Sequence, residues 1–107
     1  MKYTTRVALT EALNTASAYK RLLPGGRIII YSRLTDENSR ECDFKLCFQR
    51  PNPFKGPSAP EYTTRGQLYL MRDGEWREPG TSKEIRRFHS PAAAIRAAEA
   101  VNPETLS

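Results

Sequence analysis

The stretch from Gly66 onward constrains the fold more tightly than any other part of this 107-residue chain. GQLYLMR alternates, Asp73-Gly74 breaks the run, EWRE resumes it and SKEIRRFH extends again. Ser90-Pro91 then opens the Ala-rich segment AAAIRAAEAV, which Asn102-Pro103 closes. Asp-Gly between alternating residues predicts a hairpin with a type I′ turn, whose two central residues both take positive φ. Ser at an N-cap followed by Pro at N1 predicts a helix start, because the serine oxygen accepts from a free amide and proline has no N–H to leave unpaired. Strands followed by a capped helix point to an α+β domain.

The N-terminal half supplies the other elements. From Thr5 or Thr10 to Leu23, apolar residues at Leu9, Leu13, Ala16, Tyr19 and Leu23 form a helical stripe, which Pro24-Gly25-Gly26 is expected to stop. GRIIIYSRL follows as a β-branched strand, TDENSR as a polar turn, and ECDFKLCFQ as a second strand. In that strand Cys42, Phe44, Leu46 and Phe48 share one face, so the two strands should pair as a hairpin. Residues 50–66, RPNPFKGPSAPEYTTRG, hold four prolines and two glycines, which remove ladder donors and forbid a helix. A connection of that length is either an ordered functional arm or a flexible insertion.

The expected architecture is one domain over residues 1–107. It is a two-layer sandwich with an antiparallel sheet of about four or five strands and two helices on one face. That face is built from Ile28, Ile30, Leu34, Phe44, Leu46, Phe48, Leu68, Leu70 and Phe88. Ala94, Ile95, Ala98 and Val101 of the last helix pack on it. The order resembles the α-β-β-β-α scheme of double-stranded-RNA-binding domains in its elements alone. That family's lysine cluster at the start of the final helix is absent, since Pro91, Ala92, Ala93 and Ala94 stand there.

Composition narrows the chemistry. The formal charge is +5, and 12 of the 17 cations are arginine, a residue suited to bidentate contact with carboxylate or phosphate. The start, MKYTTRVALTEAL, lacks the apolar core of a secretion signal, and no run approaches a membrane span, so a cytoplasmic protein is expected. Cys42 and Cys47 fall on opposite faces of one strand, too far apart for a disulfide. Neither they nor the lone His89 has a metal-ligand spacing, and no glycine-rich phosphate loop precedes a helix. Ser90 beside His89 is better explained as an N-cap than as a nucleophile. Neither catalysis, a cofactor nor a metal is expected.

The candidate site is therefore a binding surface. If helices cover one sheet face, the other carries Arg27, Ile29, Tyr31 and Arg33 from the first strand and Lys45, Cys47 and Gln49 from the second, with Tyr69 and Met71 beside them. The arm adds Arg50, Phe54, Lys55, Tyr62 and Arg65. Interleaved rings and cations suit a protein interface, and they also suit single-stranded nucleic acid. The long loop or a second copy of the chain could instead cover this face. A second cluster, Arg72, Arg77, Lys83, Arg86 and Arg87 around Trp76, is interspersed with Glu75, Glu78 and Glu84 and reads as a solvated surface. Because the cations are dispersed with acids between them, the leading expectation is a non-enzymatic module that docks on, and modulates or inhibits, a partner protein or ribonucleoprotein. Small inhibitors of phages and mobile elements share this size. Direct DNA or RNA binding is the alternative. Monomer and homodimer both stay open.

Overall fold

The computed structural model describes residues 2–36 and 40–106. The polar turn expected after the first long strand falls mainly on residues 37–39, outside the described residues.

Helix α1, Arg6–Ala18, starts where Thr5 Oγ1 accepts the Ala8 N–H at 3.0 Å. It buries Leu9, Ala12 and Ala16. The helix does not run to Leu23 as its stripe predicts. Tyr19 is already extended, and Lys20–Leu23 forms strand β1, joined by the two-residue loop Pro24-Gly25 to strand β2, Gly26–Asp36. Lys, Arg and Leu are good helix formers, so local propensity carries no warning here. The tight loop wins because it lets Lys20–Leu23 pair with Gly26–Ile29 and turns Leu23 inward against the core. Only glycine fits at the far side of the loop: a β-carbon on Gly26 would lie 2.2 Å from the Gln49 carbonyl oxygen and 2.8 Å from the Phe48 ring.

Strands β3 (Glu41–Gln49), β4 (Leu68–Leu70) and β5 (Trp76–Arg77) complete an antiparallel five-stranded sheet in the order β1-β2-β3-β4-β5. With a helix near each end of the chain, the molecule is a compact α+β fold. Strand β3 follows its expected alternation, and Cys42, Phe44, Leu46 and Phe48 are fully buried on the helix side. Ile28, Ile30, Leu70 and Phe88 join that core as expected, with Leu68 and Trp76 packed against it. Leu34 departs from its expected place. It stands two residues from the end of β2, at the sheet rim, and is 42% exposed.

The Asp73-Gly74 turn forms, though not as type I′. Gly74 N–H donates to Met71 O at 3.0 Å and Met71 N–H to Glu75 O at 2.8 Å, with φ +89° at Gly74 and no positive φ at Asp73. This is a three-residue loop with a glycine bulge, in which Asp73 Oδ1 accepts the Glu75 N–H at 2.9 Å instead of Asp73 adopting a strained φ. The following segment makes a 3-10 turn at Ser82–Glu84 and then only isolated bridges, Met71 with Ile85 and Phe44 with Phe88. It thereby ties β4 to β3 beyond their short direct pairing.

Helix α2, Pro91–Glu99, starts as expected, with Ser90 Oγ accepting from Ala93 N–H at 3.1 Å. Its small Ala94 and Ala98 are fully buried, while Ile95 and Val101 pack at the core's edge. Arg21 of β1 reaches its other end and donates to the Ala98 and Val101 carbonyls at 2.7 and 2.8 Å.

Candidate binding face

The register assigns the second sheet face directly. Arg27 lies opposite Gln49, Ile29 opposite Cys47, Tyr31 opposite Lys45, Arg33 opposite Asp43 and Cys47 opposite Tyr69. Neither helix lies on this side, because both bury their apolar stripes in the opposite core. Strand β1 adds Lys20 and Leu22, which the sequence reading had placed in a helix. Residues opposite one another in a sheet share a face. Five cations from four separated segments, Lys20, Arg27, Arg33, Lys45 and Arg87, therefore gather here, although acids separate them along the chain. The acids of β3, Glu41 and Asp43, stand at one end.

A polar network holds the middle of the face. Arg27 Nε donates to Gln49 Oε1 at 3.1 Å, Gln49 Nε2 donates to the Tyr31 hydroxyl at 3.0 Å and to Gln67 Oε1 at 3.2 Å, and Gln67 Nε2 donates to the Tyr69 hydroxyl at 2.6 Å. Gln49, only 4% exposed, is the buried hub. Burial of its side-chain amide requires partners on both oxygen and nitrogen, and it has them. The Tyr31 and Tyr69 rings lie 6.2 Å apart at 36°, with Lys45 Nζ 5.8 Å from the first centroid and 5.0 Å from the second. Burial raises the pKa of both tyrosines. It lowers that of Lys45, to which the Arg87 guanidinium contributes further.

The arm from 50 to 66 is pinned to this face. It folds back on itself through the Pro51–Tyr62 bridge, with Asn52 N–H donating to Glu61 O and Thr63 N–H to Arg50 O. Tyr62 receives the Arg27 guanidinium over its ring at 4.1 Å, whereas Arg50, at the arm's start, lies over the core-face ring of Phe48 at 5.6 Å. Phe54 projects from the arm 73% exposed, with Lys55 and Arg65 exposed beside it in sequence or at the arm's base.

Of the residues proposed from sequence, Arg27, Tyr31, Lys45, Tyr69 and Tyr62 come together, and Arg33 lies one row from Lys45. Met71 does not front the face: it is fully buried where Ile85 bridges it. Cys47 is likewise buried, and burial pushes its thiol up to about 12. Sequence reasoning placed Gln67 in the alternating run GQLYLMR without giving it a role, and read Arg87 as part of a solvated cluster. Arg87 could have been placed only by knowing that Phe88 pairs with Phe44. Elsewhere His89 is exposed with Nδ1 3.6 Å from Asp43, and Ser90 is engaged as the helix cap. Among the described residues no His/Cys/Asp/Glu group is arranged to hold a metal, and no helix is long and apolar enough to cross a membrane.

Comparison with protein-family models, with curated proteins and with solved structures finds no match.

Proposed function

We propose that this protein is a non-enzymatic binding module that docks on an acidic surface of a partner protein or ribonucleoprotein through its helix-free sheet face and the adjoining arm, and so modulates or blocks that partner. The observation that carries this reading is the placement of Lys45. Its ammonium group occupies the ring side of both Tyr31 and Tyr69, the surface on which a nucleic-acid base would have to stack. With the hydroxyl of Tyr31 donating to Gln67 and that of Tyr69 accepting from it, the two rings form a rigid amphipathic platform rimmed by arginines. Such platforms supply much of the energy at protein interfaces, because tyrosine offers large contact area at little entropic cost.

The test is capture of partners by the immobilised protein from a lysate. Tyr31→Ala combined with Tyr69→Ala is expected to abolish capture while the circular dichroism spectrum stays native, and nuclease treatment is expected to leave capture by the parent intact. The purified protein should bind random DNA or RNA no better than about micromolar at physiological salt. Tight binding to naked nucleic acid that falls steeply with salt would overturn the reading. Capture retained by the double variant would move the interface to Arg50, Phe54, Lys55 and Tyr62.

A further inference from the structure

One pair on the binding face is electrostatically out of place. Phe44 and Phe88 exchange both backbone hydrogen bonds, at 2.9 and 2.8 Å, in an isolated bridge that brings the next residues, Lys45 and Arg87, side by side on this face before Arg86 N–H turns to Leu70 O. The same register sets Asp43 beside His89, and the 3.6 Å approach of their side chains agrees with it. Two cations brought side by side repel one another. The cost is sharpened because Arg87 Nη1 is shielded from solvent and has no hydrogen-bond partner, while Nη2 makes only a long 3.4 Å bond to the Ser82 carbonyl. An unsatisfied guanidinium nitrogen forfeits a charge-assisted hydrogen bond, which an incoming anion would restore once the half-buried Arg87 side chain turns that nitrogen toward it.

The groups facing this pair define what the anion is. Tyr31 lies opposite Lys45 on its other side, Tyr69 is 5.0 Å from its ammonium, and Arg33 stands one row along, opposite Asp43. We infer that Lys45 and Arg87 form a subsite for one carboxylate, an aspartate or glutamate side chain presented by the partner protein. The nearby Asp43 decides for a singly charged carboxylate over a doubly charged phosphate, since each added negative charge on the ligand meets its repulsion. The choice of a protein partner rests on the docking reading above; the anion subsite itself is testable without any partner.

The experiment is a titration of the purified full chain with capped tetraglutamate and, separately, with an oligothymidylate of eight residues, followed by nuclear magnetic resonance. Tetraglutamate should produce its largest shifts at Lys45 and Arg87, Arg87→Met should weaken its binding at least tenfold, and Arg96→Met, at an exposed position of helix α2 away from this face, should change it less than twofold. Unchanged tetraglutamate affinity in Arg87→Met would overturn the subsite, as would oligothymidylate binding tenfold tighter than tetraglutamate. Should Arg87→Met fail to fold, the shift map of the unsubstituted protein decides: largest shifts at Lys45 and Arg87 uphold the subsite, and largest shifts elsewhere sink it. The two readings fail separately, because loss of the subsite leaves nuclease-resistant, Tyr31/Tyr69-dependent capture standing, whereas loss of that capture leaves the tetraglutamate result untouched.

Discussion

Gly26 and Cys47 show how single positions carry the fold. Gly26 sits where the β1–β2 loop passes under the end of β3, and a methyl group there would meet a backbone oxygen at 2.2 Å, which no side-chain rotation can relieve. Gly26→Ala should therefore cost about 2–3 kcal/mol in denaturant unfolding, the range of overpacking, whereas Gly56→Ala, with nothing within 4 Å, should change stability far less. Cys47 carries a different signature. Its thiol keeps its proton up to about 12 in the fold, while an unfolded cysteine ionises near about 8.5. The folded pKa is raised, so the stabilisation is fully present below the unfolded value and is lost as pH rises toward the folded one. The melting temperature should fall between about pH 9 and pH 12, and Cys47→Ala should shallow that fall. An equal slope in the variant would show that other groups, Tyr31 and Tyr69 among them, account for it.

At the scale of elements, what was legible in the sequence follows what is local. Helix α2 is readable because its start rests on Ser90 and Pro91, which act within one turn. Strand β3 is readable because period-two alternation over Cys42–Phe48 needs no knowledge of its neighbours. Strand β1 was not readable: Lys20–Leu23 has the propensity of a helix and is held extended by β2 across the two-residue loop Pro24-Gly25 and by α2, which is remote in sequence. Arg21 joins the two layers there, donating to two carbonyls at the C-terminal end of α2, where the helix dipole also favours a cation. Arg21→Met keeps the stem and removes the charge-assisted bonds. It should cost roughly 1.5–3 kcal/mol, with increased amide hydrogen exchange confined to the last turn of α2 and Val101. Exchange unchanged in that turn would show that Arg21 is a surface contact without consequence.

For the molecule as a whole, the two sheet faces were separable from the sequence because β2 and β3 alternate cleanly, whereas the row formed by Tyr31, Lys45 and Arg87 was not. That row depends on the segment 84–88 bridging to both β3 and β4, a consequence of how the sheet diverges and not of any pattern in SKEIRRFH. The same sheet bears on assembly. Among the described residues β1 covers β2 only as far as Ile29, so the outer edge of β2 from Ile30 to its end is unpaired. An exposed edge invites a second copy to add its own strand. Backbone groups pointing outward alternate along β2, and the antiparallel register that matches the free stretches of two copies brings Arg33 opposite Arg33, a like-charge pair that opposes the match. The chain should therefore sediment as a monomer at about 100 μM, well below the millimolar range where weak pairings appear. Arg33→Val removes the repulsion and adds a β-branched residue at the centre of the edge, so it should shift the protein toward a dimer. A monomeric Arg33→Val variant would mean that the edge is closed by something other than charge, and a dimeric parent would mean that Arg33 does not guard it.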